Sequence, residues 1–322
     1  MWQRVSAVPC LFVVSPLVAE YLLGSLPMSM LVALPVMALL YGSGAVLVRE
    51  LARRTGRGWA TMLLLACAYG VVEEGLITQS LFNPNYLHLR LLDYGYLPAL
   101  GTAAPWLIYV IGLHVAWSIG VPIGLIDALF VDRRTEPWLG RPGLAVVSVL
   151  FLAGAALVAS FTYKQAPFIA SSAQLGVTVA VVIALVVVAF LLPKTPPAAA
   201  AGRAPHPVVV FLVAFLCGSG FVGALLWAPV FHLPWIATTA LLLGCVLGTV
   251  AFTTAFARKR AWTDRHRFAL AAAGLCVYTW LGFVNDHSMH PGDPLAPHVA
   301  LVCGFAVLAW IAGARAFART LA

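Results

Sequence analysis

Apolar runs follow one another along the chain, near 6–26, 29–48, 59–80, 105–130, 143–162, 173–192, 207–228, 235–257, 268–285 and 297–314. Each is close to the roughly 20 residues a helix needs to cross about 30 Å of hydrocarbon. The pattern predicts an all-α, polytopic membrane protein of about ten transmembrane helices. Pro16, Pro35 and Pro122 fall inside runs and are expected to kink them. Gly120 with Gly124, and Gly244 with Gly248, form G-x-x-x-G pairs, and Ser219 with Gly223 is a looser version. Such faces are expected to pack helix against helix within the bundle.

Composition agrees with this reading: 62% of residues are hydrophobic, 9% are charged and the mean hydropathy is +0.97. Soluble domains carry about a quarter charged residues. The formal charge of +8 changes the picture only through where the cations lie. Arg4, Arg49, Arg53, Arg54, Arg57, Arg133, Arg134, Arg141, Lys194, Arg203, Arg258, Lys259, Arg260, Arg265, Arg267, Arg315 and Arg319 share one set of alternate loops. The opposite set holds Arg90 and Lys164. The positive-inside rule turns this asymmetry into topology, with both termini cytoplasmic. The basic balance therefore reads as a lipid-bilayer signature, with no nucleic-acid partner. Arginine far outnumbers lysine and alanine is abundant, which points to a bacterial plasma (cell) membrane. The first run reads as an uncleaved helix, since a second span follows at once and the cleavage pattern is poor. The six cysteines all fall within runs and never as C-x-x-C, so they read as small packing residues.

The stretch "KTPPAAAAGRAPHP" is a predicted cytoplasmic linker over 194–207. It divides a six-helix region, 1–193, from a four-helix region, 208–322, which are expected to pack as one bundle. No internal repeat is visible.

Against this background "AYGVVEEGLITQSLFNPNY" stands out. Glu73 lies about 14 residues into the third run, or roughly 21 Å along it, with Glu74 beside it. An acid at such depth costs about 2.5–3.5 kcal/mol, so the pair needs a polar cavity, a cation or a shared proton. His114 lies at similar depth in the fourth run, with Ser118 one turn on, and Glu20 in the first run reaches a comparable level. Glu73, Glu74 and His114 are the candidate catalytic residues. Glu20, Gln79, Asn83 and Ser118 are candidate binding residues. Asp286 and His287 join them from "NDHSMHPGDPLAPH", read as an outer loop able to lie over the cluster, whose D-H-x-x-H spacing could also hold a metal. Arg49 and Glu50, and Asp127 near Arg133 and Arg134, are expected to snorkel or pair at the cytoplasmic interface.

An adjacent Glu-Glu followed in the next helix by a histidine resembles the CPBP group, the CAAX proteases and bacteriocin-processing proteins. Their first motif, E-E-x-x-x-R, meets "EEGLIT" here, and their second, F-x-x-x-H, meets "VIGLH". The resemblance implies an intramembrane hydrolase in which Glu73 or Glu74 activates water and His114 binds or polarises it. Thr78 stands at the motif arginine and Val110 at the motif phenylalanine, and the third motif, H-x-x-x-N, has no counterpart. Three readings stay open: a hydrolase acting on a peptide or small molecule, with or without a divalent metal such as zinc; a proton- or cation-coupled permease; and a non-catalytic assembly protein.

Overall fold

The computed structural model describes residues 2–194 and 200–318. Residues 195–199 of the linker, and Arg319, lie outside the described residues. The chain is helical throughout its apolar runs. Helix α1 (Trp2–Pro16) continues as a π-helical turn over Leu17–Leu22. It is followed by α2 (Met28–Arg54), α3 (Trp59–Ile77), α4 (Ala104–Leu129), α5 (Arg141–Gln165), α6 (Ser172–Leu191), α7 (Pro207–Trp227), α8 (Trp235–Ala257), α9 (Asp264–Met289) and α10 (Ala296–Ala318). The helices from α2 to α10 are each long and apolar enough to span a bilayer, whereas the apolar part of α1, Ala7–Leu22, is shorter. A two-stranded hairpin, β1 (Tyr96–Leu97) and β2 (Thr102–Ala103), closes the α3–α4 connection.

Burial separates a core from a rim. In the most apolar stretch of α3, 67% of residues are buried, against 6% in α8. Helices α1 to α4 and α9 form the centre, and α4 touches α1, α2, α3, α7, α8, α9 and α10. The rim exposes Val149, Leu152, Ile183, Leu191, Leu247 and Trp310. In water such a surface would be untenable; facing acyl chains it is the low-energy one.

Prolines shape the centre. Pro122 has no N–H to give the carbonyl of Ser118. The Ser15 hydroxyl of α1 donates to that oxygen at 2.7 Å instead, and to the Tyr41 carbonyl at 3.1 Å. A lost helix bond thereby becomes a tie between α1, α2 and α4. Gly42 sits hard against α1, where a Cβ would come within 2.1 Å of the Phe12 carbonyl oxygen.

Several expectations are corrected. Arg49 and Glu50 pair as expected but do not snorkel: both are fully buried. The Arg49 guanidinium binds Asp127 at 2.9 Å and Glu50 at 3.3 Å, and donates to the carbonyls of Arg133, Arg134 and Glu136. It lies 3.1 Å from the Trp138 ring centroid. Asp127 pairs with Arg49 and Arg53 rather than with Arg133 and Arg134. A buried guanidinium needs every donor satisfied, and the 133–138 turn supplies carbonyls where an interfacial pair would supply only charge. Asn285 to Met289 belong to α9 and not to a loop, because the helix runs on past its apolar part. Gly244 and Gly248 meet nothing within 4 Å and face outward, whereas Gly124 does pack, with a Cβ site 3.2 Å from Ala271. The far end of the linker is tied down: Ala200 bridges the backbone at Arg258–Arg260, and His266 reaches the Pro205 carbonyl at 2.9 Å.

Candidate functional site

The polar residues of the core fall where the helices widen. Four π-helical turns interrupt the central helices, at Leu17–Leu22, Ala38–Gly42, Glu73–Ile77 and His114–Gly120. Each carries a residue of one cluster: Glu20, Tyr41, the Glu73–Glu74 pair, and His114. A π-turn inserts an extra residue and leaves backbone groups misaligned, and such turns are frequent at functional sites. At Glu73 the carbonyl accepts from the Thr78 amide at 2.8 Å, the i to i+5 bond of such a turn, and from the Thr78 hydroxyl at 3.0 Å. Gly75 makes room beside it, since a Cβ there would stand 2.6 Å from Thr178.

Glu73, Glu74 and His114 are 2%, 6% and 5% exposed. The imidazole lies between the two acids: Nε2 is 2.7 Å from Glu74 Oε1, and Nδ1 is 3.3 Å from Glu73 Oε2. The two carboxylates are held very differently. Glu74 Oε2 also accepts from the Ser80 hydroxyl and from Thr78 at 3.1 Å, and Trp106 donates to Ser80 at 3.3 Å. Glu73 Oε2 meets Nδ1 outside hydrogen-bond geometry, and its carboxylate is faced by the Tyr41 and Tyr69 hydroxyls. Ser118 Oγ stands 3.1 Å from the same Nδ1. The ring is fixed by aromatic contacts as well, stacked on Tyr41 at 6.1 Å and edge-on to Tyr69 at 5.9 Å. The Tyr69 hydroxyl is buried and faces the Glu73 carboxylate.

Glu20 completes the acidic set at slightly longer range, within electrostatic reach of His114 and Glu74, and it accepts from Ser25 at 2.5 Å. The Tyr41 hydroxyl lies within electrostatic reach of Glu20 and Glu73. The remaining candidates divide. Ser118 is part of the cluster. Gln79 and Asn83 are at its margin, where Gln79 Oε1 accepts from the Ala170 amide at 2.7 Å and Asn83 caps Asn85 at 2.9 Å. Both line a cavity of about 310 Å³ with Ile77, Thr78, Tyr163 and Ile169. Thr78, one of its lining residues, also donates to Glu74 at 3.1 Å. Asp286 instead pairs with His298 at 2.6 Å, and His287 is exposed. The end of α9 meets only the Glu20 arm, through Asn285 on the Leu23 carbonyl at 2.8 Å and His290 near the Ser25 carbonyl at 3.3 Å.

Sequence reasoning missed Tyr41, Tyr69, Ser80 and Trp106. Tyr41 and Tyr69 read as ordinary aromatics in apolar runs, and only the fold brings them onto His114. Ser80, six residues after Glu74, was accessible in principle as a hydroxyl near a buried acid.

Glu73, Glu74 and His114 each place one ligand-type atom within 4.8 Å of the others, so they could hold a metal ion. Three carboxylates around one imidazole also make a sink for protons or a cation in a low-dielectric interior.

Among known proteins, no curated protein and no solved structure matches the chain. The model of an uncharacterized membrane protein family matches residues 10–322. That match covers nearly the whole chain and agrees with the helical architecture, so the chain belongs to this uncharacterized family of integral membrane proteins.

Proposed function

We propose that the Glu73–Glu74–His114 cluster is the centre of an intramembrane hydrolase of CPBP-like chemistry, acting on a peptide or small-molecule acyl bond from the side of the membrane opposite the arginine-rich loops. The observation that carries the reading is the unequal treatment of the two acids. Glu74 is engaged by His114, Thr78 and Ser80, while Glu73 Oε2 is buried beside the ring, 3.3 Å from Nδ1 and outside hydrogen-bond geometry to it. A carboxylate oxygen with a spare lone pair is what a general base needs, and a carboxylate locked on the far ring nitrogen is what orients an imidazole. In this scheme Glu73 takes a proton from water as its oxygen attacks the acyl carbon. His114 then delivers a proton to the leaving group as the scissile bond breaks. The cavity lined by Thr78 is the approach, since the Thr78 hydroxyl also donates to Glu74 at 3.1 Å.

A proton- or cation-coupled permease is the second reading, favoured by Glu20, which adds a third acid that accepts from Ser25.

The test needs no known substrate. Membranes carrying the wild-type chain or Glu73→Gln are incubated in ¹⁸O-water, and new carboxyl groups are sought by mass spectrometry. Label incorporated by wild type and reduced about 10²-fold or more in the variant supports hydrolysis. Equal incorporation in the two sinks it, and proton-gradient-dependent uptake into vesicles then decides for the permease.

A further inference from the structure

We propose that a groove between α9 and α10 binds an anionic phospholipid, with an acyl chain in the groove and the phosphate on Arg265 and Arg315. The site lies on the rim, apart from the acid–imidazole cluster, and is independent of the hydrolase reading.

The groove has a volume of about 310 Å³ and is lined by Phe268, Ala309, Trp310, Gly313, Ala314 and Phe317. Position 313 shapes it. A Cβ there would stand 3.0 Å from the Phe268 ring, so glycine is what lets Phe268 lie against α10. From Ala309 to Phe317 the groove follows α10 for eight residues, or about 12 Å. Trp310 and Ala314 are exposed along it, so it opens outward and is not sealed by another helix.

One end of the groove is cationic. The Arg265 guanidinium lies 4.8 Å over the Phe317 ring and donates to the Phe317 carbonyl at 3.1 Å. Arg315 follows Ala314 in sequence and donates to the Leu129 carbonyl at 2.7 Å. Neither forms an ion pair among the described residues, whereas Arg267 and Arg134 share Asp264 at 2.7 Å and 3.2 Å. A guanidinium carries five N–H donors. A bond to one carbonyl leaves others for phosphate oxygens, which arginine grips as a fork. Fastening helix ends would explain those carbonyl bonds, but not an aromatic groove that starts at the same two residues.

An apolar groove ending on two cations without a carboxylate fits a molecule with an apolar tail and an anionic head. Basic pockets between helices at an arginine-rich membrane face bind such head groups. A zwitterionic head would bring its own cation against the arginines. A second copy of this chain, packed here about a two-fold axis, would set the same arginines against each other.

The experiment is native mass spectrometry of the full chain in detergent, titrated with phosphatidylglycerol or with phosphatidylcholine of the same acyl chains. Wild type is expected to bind phosphatidylglycerol about 10-fold or more tightly than phosphatidylcholine. Arg265→Gln combined with Arg315→Gln should cut that preference to about 2-fold or less. Arg141→Gln, at an exposed arginine of the same membrane face, should leave it unchanged. Ala314→Phe keeps both arginines and fills the groove, so it should weaken phosphatidylglycerol binding about 10-fold; it carries the test if the double variant does not fold. Equal affinity of wild type for the two lipids would overturn the proposal, as would a preference that survives in the double variant or full binding by Ala314→Phe. An equal loss in Arg141→Gln would reduce the effect to general surface charge and overturn it too. A dimer that Ala314→Phe dissociates would give the groove to a second copy instead.

Discussion

Arg49 offers the most direct test of the energetics, well away from the acidic cluster. Replacing it by methionine keeps the length and removes the charge. The structure says what is left behind. Asp127 loses its 2.9 Å partner but keeps Arg53 at 3.1 Å. Glu50 keeps the amides of Trp138 at 2.7 Å and Leu139 at 3.0 Å. The carbonyls of Arg133, Arg134 and Glu136 lose their guanidinium donors, and Trp138 loses the cation over its ring. Removing one member of a buried pair costs about 3–5 kcal/mol. The surviving Arg53 bond and the loop's access to water argue for the lower end, about 3 kcal/mol. Adding Asp127→Asn to Arg49→Met removes the stranded charge, so the double variant should lose at least about 1 kcal/mol less than the sum of the singles. The assay is reversible unfolding in mixed micelles by titration with denaturing detergent, followed by circular dichroism. A loss below about 1 kcal/mol for Arg49→Met, or strict additivity, would show that the network is a solvated interfacial pair after all.

Other consequences are closer to the cluster. Gly44→Ala would set a methyl 2.2 Å from Tyr69 Cε2, and Tyr69 is walled in by Tyr41, His114 and Phe151. Such overpacking costs about 1–3 kcal/mol, so thermal unfolding should fall while ¹⁸O turnover is lost; an unchanged midpoint would refute the contact. Ser15→Ala should cost about 1–2 kcal/mol by stranding the Ser118 carbonyl, and adding Pro122→Ala should recover much of it by restoring a helix donor. Failure of that recovery in the unfolding assay would break the argument. In the proposed scheme Glu74 orients and Glu73 reacts, so Glu74→Gln should keep the fold and lower turnover less than Glu73→Gln does; an equal loss in both would merge their roles.

How much of this was readable in advance follows from which forces leave a local trace. Membrane spans do, because each must be apolar over its own length, so the order of the helices appears in the hydropathy. Glu73, Glu74 and His114 also do, because an ionisable group in an apolar run is conspicuous wherever the run packs, and counting 1.5 Å per residue brought them to one depth. Features that depend on a partner left no trace. Arg49 looks like any arginine at the end of a span, and its burial depends on carbonyls from a turn more than 80 residues later. Gly244 and Gly248 carry a packing pattern, but whether they pack depends on what lies opposite, and α8 turns them outward. Asp286 and His287 read as lid residues because hydropathy ends near them, yet the helix bonds continue to Met289.

The π-turns were equally invisible, and they bear most on function. Any one of them could be a local accommodation to sequence: Pro16 precedes the first and Pro122 follows the last. Local causes do not explain why all four converge. Glu73–Ile77 and Ala38–Gly42 have no proline within them or beside them, yet they face the same imidazole through Glu73, Glu74 and Tyr41. An α-helix presents one residue to a given point every 3.6 positions, so adjacent Glu73 and Glu74 would diverge by about 100° on a regular helix. The widened turn that begins at Glu73 lets both carboxylates reach opposite edges of one ring. Four helices giving up regular hydrogen bonding around the same three side chains is a cost that packing alone does not require. A helical bundle can be packed with apolar side chains at far lower cost, so the convergence singles out this cluster as the place to test for chemistry.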